Sequence, residues 1–428
     1  MSVSGRIGIA RNITWLTGTS LVVKPFWLVF VVFLCWRYLG TAEFGVFSTA
    51  LWLAFIPAAL TDLGLTQLTI RDVARIRESA SEYFSNIFVF KLALSPIAWL
   101  VAVGTGIALG YDQSMLWSVA WAGVYALALQ AMTYLRSFYR AFENLKLEGI
   151  STILEKIVVV ALGTIGLFWT RSAHGTLAGM ATGMIIAVVL NAVWIAMNLA
   201  RLDFGLVRLK FVRNAVRLGF PIFVYSFAIV VYTRLGGVLL EYWHGERATG
   251  EFAAAYRILE SLFLLNAVFT AAVMPRLSAL YHERRLDRFR FVFSRSLMAA
   301  VGLAVVIAGF TSLVSSELMG FINPDEPTLK AATILATLVW VLPLMTAKDL
   351  LVVSLLASDR QNYLAWSLAA ALAVSLGLHL VLTYPQGASG LIAVFFIVEA
   401  LIILLCAVQL VRTRVGDSPP EIPEPGEG

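Results

Sequence analysis

Six basic side chains interrupt stretches otherwise built from Leu, Val, Ile, Ala, Phe and Trp: Lys24, Lys91, Lys156, Arg234, Arg257 and Lys348. Groups of this kind bind anions by charge and by directional N–H donors, and Arg matches two oxygens of a phosphate or carboxylate at once. Carboxylates share the same stretches. Asp62 and Glu399 sit within apolar runs, while Glu155, Glu260 and Asp349 have a basic residue close by in the chain. Burial favours the protonated acid, and a carboxylate can also hold a sodium ion. Asp62, Glu260, Asp349 and Glu399 are therefore candidate groups for coupling to H+ or Na+.

The elements that must position these charges are membrane-spanning helices. Sixty per cent of the 428 residues are hydrophobic and 14% are charged, against about 25% charged in soluble domains. A water-soluble fold cannot hide that much apolar surface. Runs of about 20 apolar residues, enough to cross a bilayer, fall near 12–36, 44–69, 84–109, 116–139, 151–170, 176–200, 218–241, 251–274, 293–316, 329–357, 361–383 and 389–411. With the N-terminus inside, cytoplasmic segments carry about 22 Lys and Arg, including Arg71, Arg75, Arg77, Arg213 and Arg288, and the outer segments carry four, Arg37, Arg171, Arg247 and Lys330. That bias places both termini in the cytoplasm.

The formal charge of +6 is spread between apolar runs and forms no solvated basic face, so nucleic acid is not an expected partner. Cys35 and Cys406 lie inside apolar stretches, and none of the four His pairs with a Cys, Asp or Glu cluster. No disulfide framework, metal site or cofactor is expected. The chain has no phosphate-binding GxxxxGK[ST] loop. All outer loops are short, and the longest inner one, 276–292, is charged and expected to be helical. A membrane enzyme such as a glycan polymerase or ligase, which needs a sizeable outer loop, is disfavoured.

The two halves resemble each other. Gly40, Gly45, Phe47 and Ala50 recur at Gly245, Gly250, Phe252 and Ala255, a constant offset of 205 that also carries Arg71 onto Arg276. Two six-helix lobes follow, 1–205 and 206–411, related by an axis along the membrane normal and enclosing a cavity. The tail, 412–428, is rich in Pro, Gly and Glu and is expected to be disordered.

Six cations facing lipid at roughly 2.5–3.5 kcal/mol each would exceed the 5–15 kcal/mol by which a typical fold is stable. They must face water or a partner. Lys24 lies mid-helix beside Pro25, whose missing N–H leaves the Leu21 carbonyl free, so a bend or an unwound turn is expected where a substrate could bind. A pairing of Lys24 with an interior carboxylate remains the alternative. Lys91, Lys156 and Arg234 are near enough to helix ends to snorkel. Arg257 and Glu260, three apart, share a helix face, either as a structural pair or as part of a site. Neighbours one apart, Glu155 with Lys156 and Lys348 with Asp349, point to different faces and are not expected to pair. Lys24, Lys91, Arg234, Arg257 and Lys348 are the candidate substrate-binding cations.

Several stretches are similar to a known family. Arg11-Asn12, RYLGTAEFG (37–45), DLGLTQLTIRDVAR (62–75), FPIFVYSFAIVVYTRLGGVLL (220–240), TGEFAAAYRI (249–258) and MPRLSALY (274–281) resemble the polysaccharide transporter family, which includes the Wzx-type O-antigen flippases. One departure is Gly236, where many members carry an acid two residues after the arginine of helix 7. The resemblance implies the fold of the multidrug, oligosaccharidyl-lipid and polysaccharide exporter superfamily. It also implies a function, moving an undecaprenyl-pyrophosphate-linked oligosaccharide across the bacterial inner membrane by alternating access. Membrane lipids and polysaccharide assembly proteins would be its partners. An ion-coupled drug extruder of the same superfamily is the rival, and a lipid II flippase would usually have two further helices.

Overall fold

Apolar runs of about 20 residues, at 1.5 Å per residue, match a hydrocarbon core of about 30 Å, and each folds as a helix. The computed structural model describes residues 22–326, 329–358 and 361–412, with Trp15, Gly18 and Thr19 ahead of them. The start expected for the first helix, including Arg11 and Asn12, and the tail beyond Arg412 lie outside the described residues.

Among the described residues, eleven stretches are long and apolar enough to span a membrane. The first six are α1 (Val22–Leu39), α2 (Thr41–Ala59), α3 (Arg77–Ala108), α4 (Gln113–Ala141), α5 (Leu145–Thr170) and α6 (Ala173–Asn198). Leu209–Leu262 follows, 54 residues long, which as one rod would reach roughly 80 Å. It is broken at Gly245, where φ is 81° and ψ 175°. Two helices result: α7 (209–244), and α8, which runs from 246 to Leu262 and resumes as Leu264–His282. Then come α9 (Leu286–Leu313), α10 (Leu329–Leu356), α11 (Trp366–Gln386) and α12 (Ala388–Leu410). The twelve helices divide six and six about the 199–208 connection, and no strand occurs among the described residues.

Gly40 ends α1 with φ 79° and ψ 169°, nearly the conformation of Gly245 at the end of α7. The 205-residue repeat is thus a repeat of backbone. Each glycine takes a positive φ that side chains oppose, and each reverses the chain into a helical hairpin. The following helices, α2 and α8, start in contact. A Cβ on Gly45 would lie 1.9 Å from the Glu246 carbonyl oxygen, and one on Gly250 would lie 1.8 Å from that of Thr41. Trp36, Phe44, Phe47, Trp52 and Phe252 fill this end, and all are fully buried. The Thr41 N–H and Arg247 Nη2 both donate to Glu326, at 2.9 Å each, so an acid before α10 ties the two hairpins together.

At the other end the 199–208 connection is strapped to α3. Asp203 N–H donates to Ser85 (2.9 Å), Asn86 Nδ2 donates to the Leu206 carbonyl (2.9 Å), and Arg208 N–H donates to Asn86 Oδ1 (2.6 Å). Polar side chains at the foot of α3 thereby satisfy backbone groups of the segment joining the halves.

Two expectations change. The second span, expected over 44–69, stops at Ala59 and restarts at Leu65. Leu60, Thr61 and Asp62 bond to carbonyls only three residues back, and Leu63 and Gly64 then take φ of 47° and 77° and turn the chain. Nor does α1 unwind at Pro25. The helix continues from Val22 through the proline and widens later, as a π-helix over Val29–Trp36. Leu21, whose carbonyl the proline was expected to free, lies outside the described residues.

Candidate functional site

Because α7 and α8 leave Gly245 as a hairpin, residues equally far from it reach the same depth. Arg234 and Arg257 are such a pair, and both point to Glu260. Arg257 Nη1 donates to Glu260 Oε2 at 2.8 Å, and Arg234 Nη1 reaches Oε1 at 3.5 Å. Glu260 keeps 33% of its side chain open, and Arg234 24%. The Arg234 guanidinium also lies over the Phe55 ring of α2, 5.4 Å from its centroid, a cation–π contact. The 205-residue offset relates Phe55 to Glu260 and Trp52 to Arg257. The repeat therefore puts aromatic rings on one hairpin and charges on the other.

The N-terminal half supplies a matching group on α4 and α5. The fully buried Glu155 carboxylate accepts from Arg136 Nη2, and Lys156 Nζ lies 2.9 Å from its other oxygen. Lys156 Nζ stands 4.4 Å from the Trp27 ring centroid of α1. Phe55 touches Tyr125 of α4 edge to face, centroids 6.4 Å apart, and Tyr125 is within electrostatic range of Lys156, Glu155, Arg257 and Arg136. Phe55 and Tyr125 thus run between the two cation groups, and Trp27 lies against Lys156. Four cations face two carboxylates, a local surplus of two positive charges. Arg136 Nε and Arg257 Nε, one in each group, are buried donors with no partner. A buried donor left bare costs about 1–3 kcal/mol unless something accepts from it.

The other charges are held elsewhere. Lys91, 2% exposed, pairs with Asp62 at 2.7 Å and lies over the Tyr134 ring, while Thr66 donates to the same carboxylate. Lys348 pairs with Glu399 at 3.1 Å and with its neighbour Asp349 at 3.8 Å. Tyr232 donates to Glu399 (3.2 Å) and Asn266 to Asp349 (2.7 Å). Lys24 is exposed on α1 and makes no ion pair among the described residues. The structure thus brings Arg234, Arg257 and Glu260 together and keeps Lys91–Asp62 and Lys348–Glu399–Asp349 in separate clusters.

The expectation that adjacent acid and base do not pair is corrected by Glu155–Lys156 and, more weakly, by Lys348–Asp349. Lys has a four-carbon stem that folds back around the helix to a neighbour's carboxylate. Arg136 was missed because it lies near the end of α4, where basic residues belong by the charge bias. Its signal was Glu155, an acid in an apolar run on the helix that returns beside it. Among the described residues no group of three His, Cys, Asp or Glu side chains is placed to hold a metal.

Comparison with known proteins bears on the family and the fold. Residues 9–281 match the family model for polysaccharide biosynthesis proteins, and residues 221–385 match that of the MatE family. The chain is 24% identical over 294 residues to a putative O-antigen transporter of Escherichia coli K12, a match spanning 64% of this chain and 66% of that protein. In structure it resembles an inward-facing multidrug resistance MATE transporter, with a TM-score of 0.77 at 13% identity over 95% of this chain and 100% of the other. It also resembles the lipid II flippase MurJ in an inward closed conformation, with a TM-score of 0.74 at 13% identity over 92% and 87%. The fold is thus the one these two transporters share, and the match over residues 9–281 shows that the chain belongs to the polysaccharide biosynthesis protein family.

Proposed function

We propose that the protein is a flippase that moves an undecaprenyl-pyrophosphate-linked oligosaccharide from the cytoplasmic to the periplasmic leaflet of the bacterial inner membrane. What carries this reading is the pair of cation groups, Arg136 with Lys156 and Arg234 with Arg257, linked by the Phe55–Tyr125 contact and holding two bare Nε donors. A pyrophosphate is multiply anionic and accepts from several donors at once, so it suits a surplus of two positive charges. The sugars ride in the hydrated cavity, and the prenyl chain stays in lipid.

The charge bias makes the Gly40 and Gly245 end periplasmic and both termini cytoplasmic. The sealed aromatic packing then lies on the periplasmic side, and the part-open Arg234 and Glu260 are reached from the cytoplasm. Lobes 1–205 and 206–411 rock about the cavity to alternate access. Lys24, exposed on α1, and the basic inner loops gather the headgroup before entry. Coupling to H+ or Na+ is assigned to the C-terminal cluster, where Asp349 and Glu399 outnumber Lys348, rather than to the balanced Lys91–Asp62 pair. A cation extruder is the second reading, since the superfamily fold serves both, but the surplus of positive charge repels cationic drugs.

The test is complementation of a strain unable to export a surface glycan. Wild type should restore the glycan, whereas Arg257→Ala at matched expression should leave lipid-linked oligosaccharide in the inner leaflet. Resistance to cationic drugs without glycan export, across several glycan systems, would replace this reading with the extruder.

A further inference from the structure

Glu155 and Glu260 do the same job in unequal surroundings. Each is paired with two cations and offsets one of them, but Glu155 is fully buried, with an Arg and a Lys closed on it, whereas a third of Glu260 is open and its contact with Arg234 is long, at 3.5 Å. The charged and titratable groups facing Glu260 are Arg257 and Tyr256 on α8 and Arg234 on α7. Those facing Glu155 are Lys156 on α5 and Arg136 and Tyr125 on α4. Arg257 spends Nη1 on Glu260 while its buried Nε–H has no acceptor. The guanidinium thus holds a carboxylate through one arm and has an empty donor beside it.

We propose that Glu260 is an internal stand-in for the substrate's anion, which gives up Arg234 and Arg257 to the incoming headgroup and takes up a proton as it does so. Glu155 stays in place as the fixed counter-ion of the N-terminal group. A carboxylate that loses both cations and gains a phosphoryl neighbour in a partly dehydrated cavity is disfavoured as an anion. Protonation and ligand binding at this position are therefore mutually favourable, each strengthening the other by the same factor. The one covalent change is a proton transfer: the O–H bond of the Glu260 carboxyl forms as the donor bond of a buffer acid or hydronium breaks, cavity water relays the proton, and the conjugate base stays in bulk solution. The device rests on the flippase reading and adds its regulation: headgroup affinity rises as the cytoplasmic side acidifies, and in the empty site Glu260 offsets one of its two arginines for the return step.

The test uses the purified full chain in lipid nanodiscs and farnesyl pyrophosphate as the probe. Calorimetric titration near pH 8, where the probe carries no proton of its own, is run in two buffers of different ionisation enthalpy. Wild type should take up about one proton per probe bound, and Glu260→Gln should take up none and bind about tenfold tighter. The wild-type proton count needs no variant, so a poorly folding Glu260→Gln cannot hide the answer. Binding by wild type without proton uptake, or weaker binding by Glu260→Gln, would overturn the stand-in role and leave the flippase reading intact. Absence of binding to both proteins would overturn the flippase reading as well.

Discussion

Arg234 and Arg257 approach the Glu260 carboxylate from opposite arms of one hairpin, at 3.5 and 2.8 Å, because Gly245 turns α7 into α8 midway between them. Depth in the membrane is set by that turn, and the charge group follows from it. The same turn at Gly40 sets Trp27 and Phe55 at a comparable depth, which is why cation and ring meet as Arg234 over Phe55.

Removing one guanidinium should therefore weaken headgroup capture more than it weakens the fold. Arg257→Ala is expected to lose about 1.5–3 kcal/mol of binding, roughly a ten- to hundredfold drop in affinity for a polyprenyl pyrophosphate. Arg234→Lys should retain part of the effect, since an ammonium keeps the charge and loses the planar fork. Binding curves for the two variants check both statements, and equal affinity for Arg257→Ala and wild type would remove Arg257 from the site.

Lys91 should behave differently. Its ammonium is buried on Asp62, so Lys91→Ala strands a carboxylate and is expected to lower stability by about 2–4 kcal/mol. Lys91→Met combined with Asp62→Asn, which leaves no lone charge, should recover most of that. Thermal unfolding in detergent distinguishes the cases. Unchanged melting with lost transport would place Lys91 on the substrate path instead.

The crossing of α2 and α8 has no room for a side chain. Gly250→Val should force the helices apart and destabilise the fold by at least about 1–3 kcal/mol. It should also leave the sealed end leaky, read as faster labelling of a cysteine placed at Ala50 by a thiol reagent added from outside. Labelling no faster than in the Ala50→Cys parent would show that this contact is not the seal.

Acid should loosen the short helix Leu65–Arg75 that follows α2. Burial pushes the Asp72 carboxyl up, but hydrogen bonds from Arg71 and Tyr83 outweigh it and hold Asp72 below the usual carboxylate range. A depressed acid stabilises the fold above its ordinary pKa of about 4 and loses that contribution as pH falls through its folded value. Asp72→Asn should therefore flatten the acid limb of a stability–pH curve and leave the neutral limb lower than wild type. An unchanged acid limb would mean the contact contributes nothing.

The spans, the hairpin glycines and the Arg257–Glu260 spacing could be read from residue order, because each depends on local length, φ or a three-residue step. Cross-helix partners could not. Lys91 meets Asp62, Lys348 meets Glu399 and Arg136 meets Glu155 only through helix packing. A helix that is apolar all round gives no periodic hint of which face turns inward. The break after Ala59 was obscured for a related reason: Leu60, Leu63 and Leu65 continue the apolar run across a turn made by backbone.

The most direct test of a cationic flippase site is reconstitution of the purified chain in liposomes with a fluorescent pyrophosphate-linked oligosaccharide lipid, followed by a membrane-impermeant quencher. Wild type should carry inner-leaflet probe to the quencher well above protein-free liposomes, and Arg257→Ala should not exceed them. Transport by Arg257→Ala equal to wild type, or none by wild type folded to the same melting temperature as in detergent, would contradict the assignment of these cation groups to an anionic lipid-linked glycan.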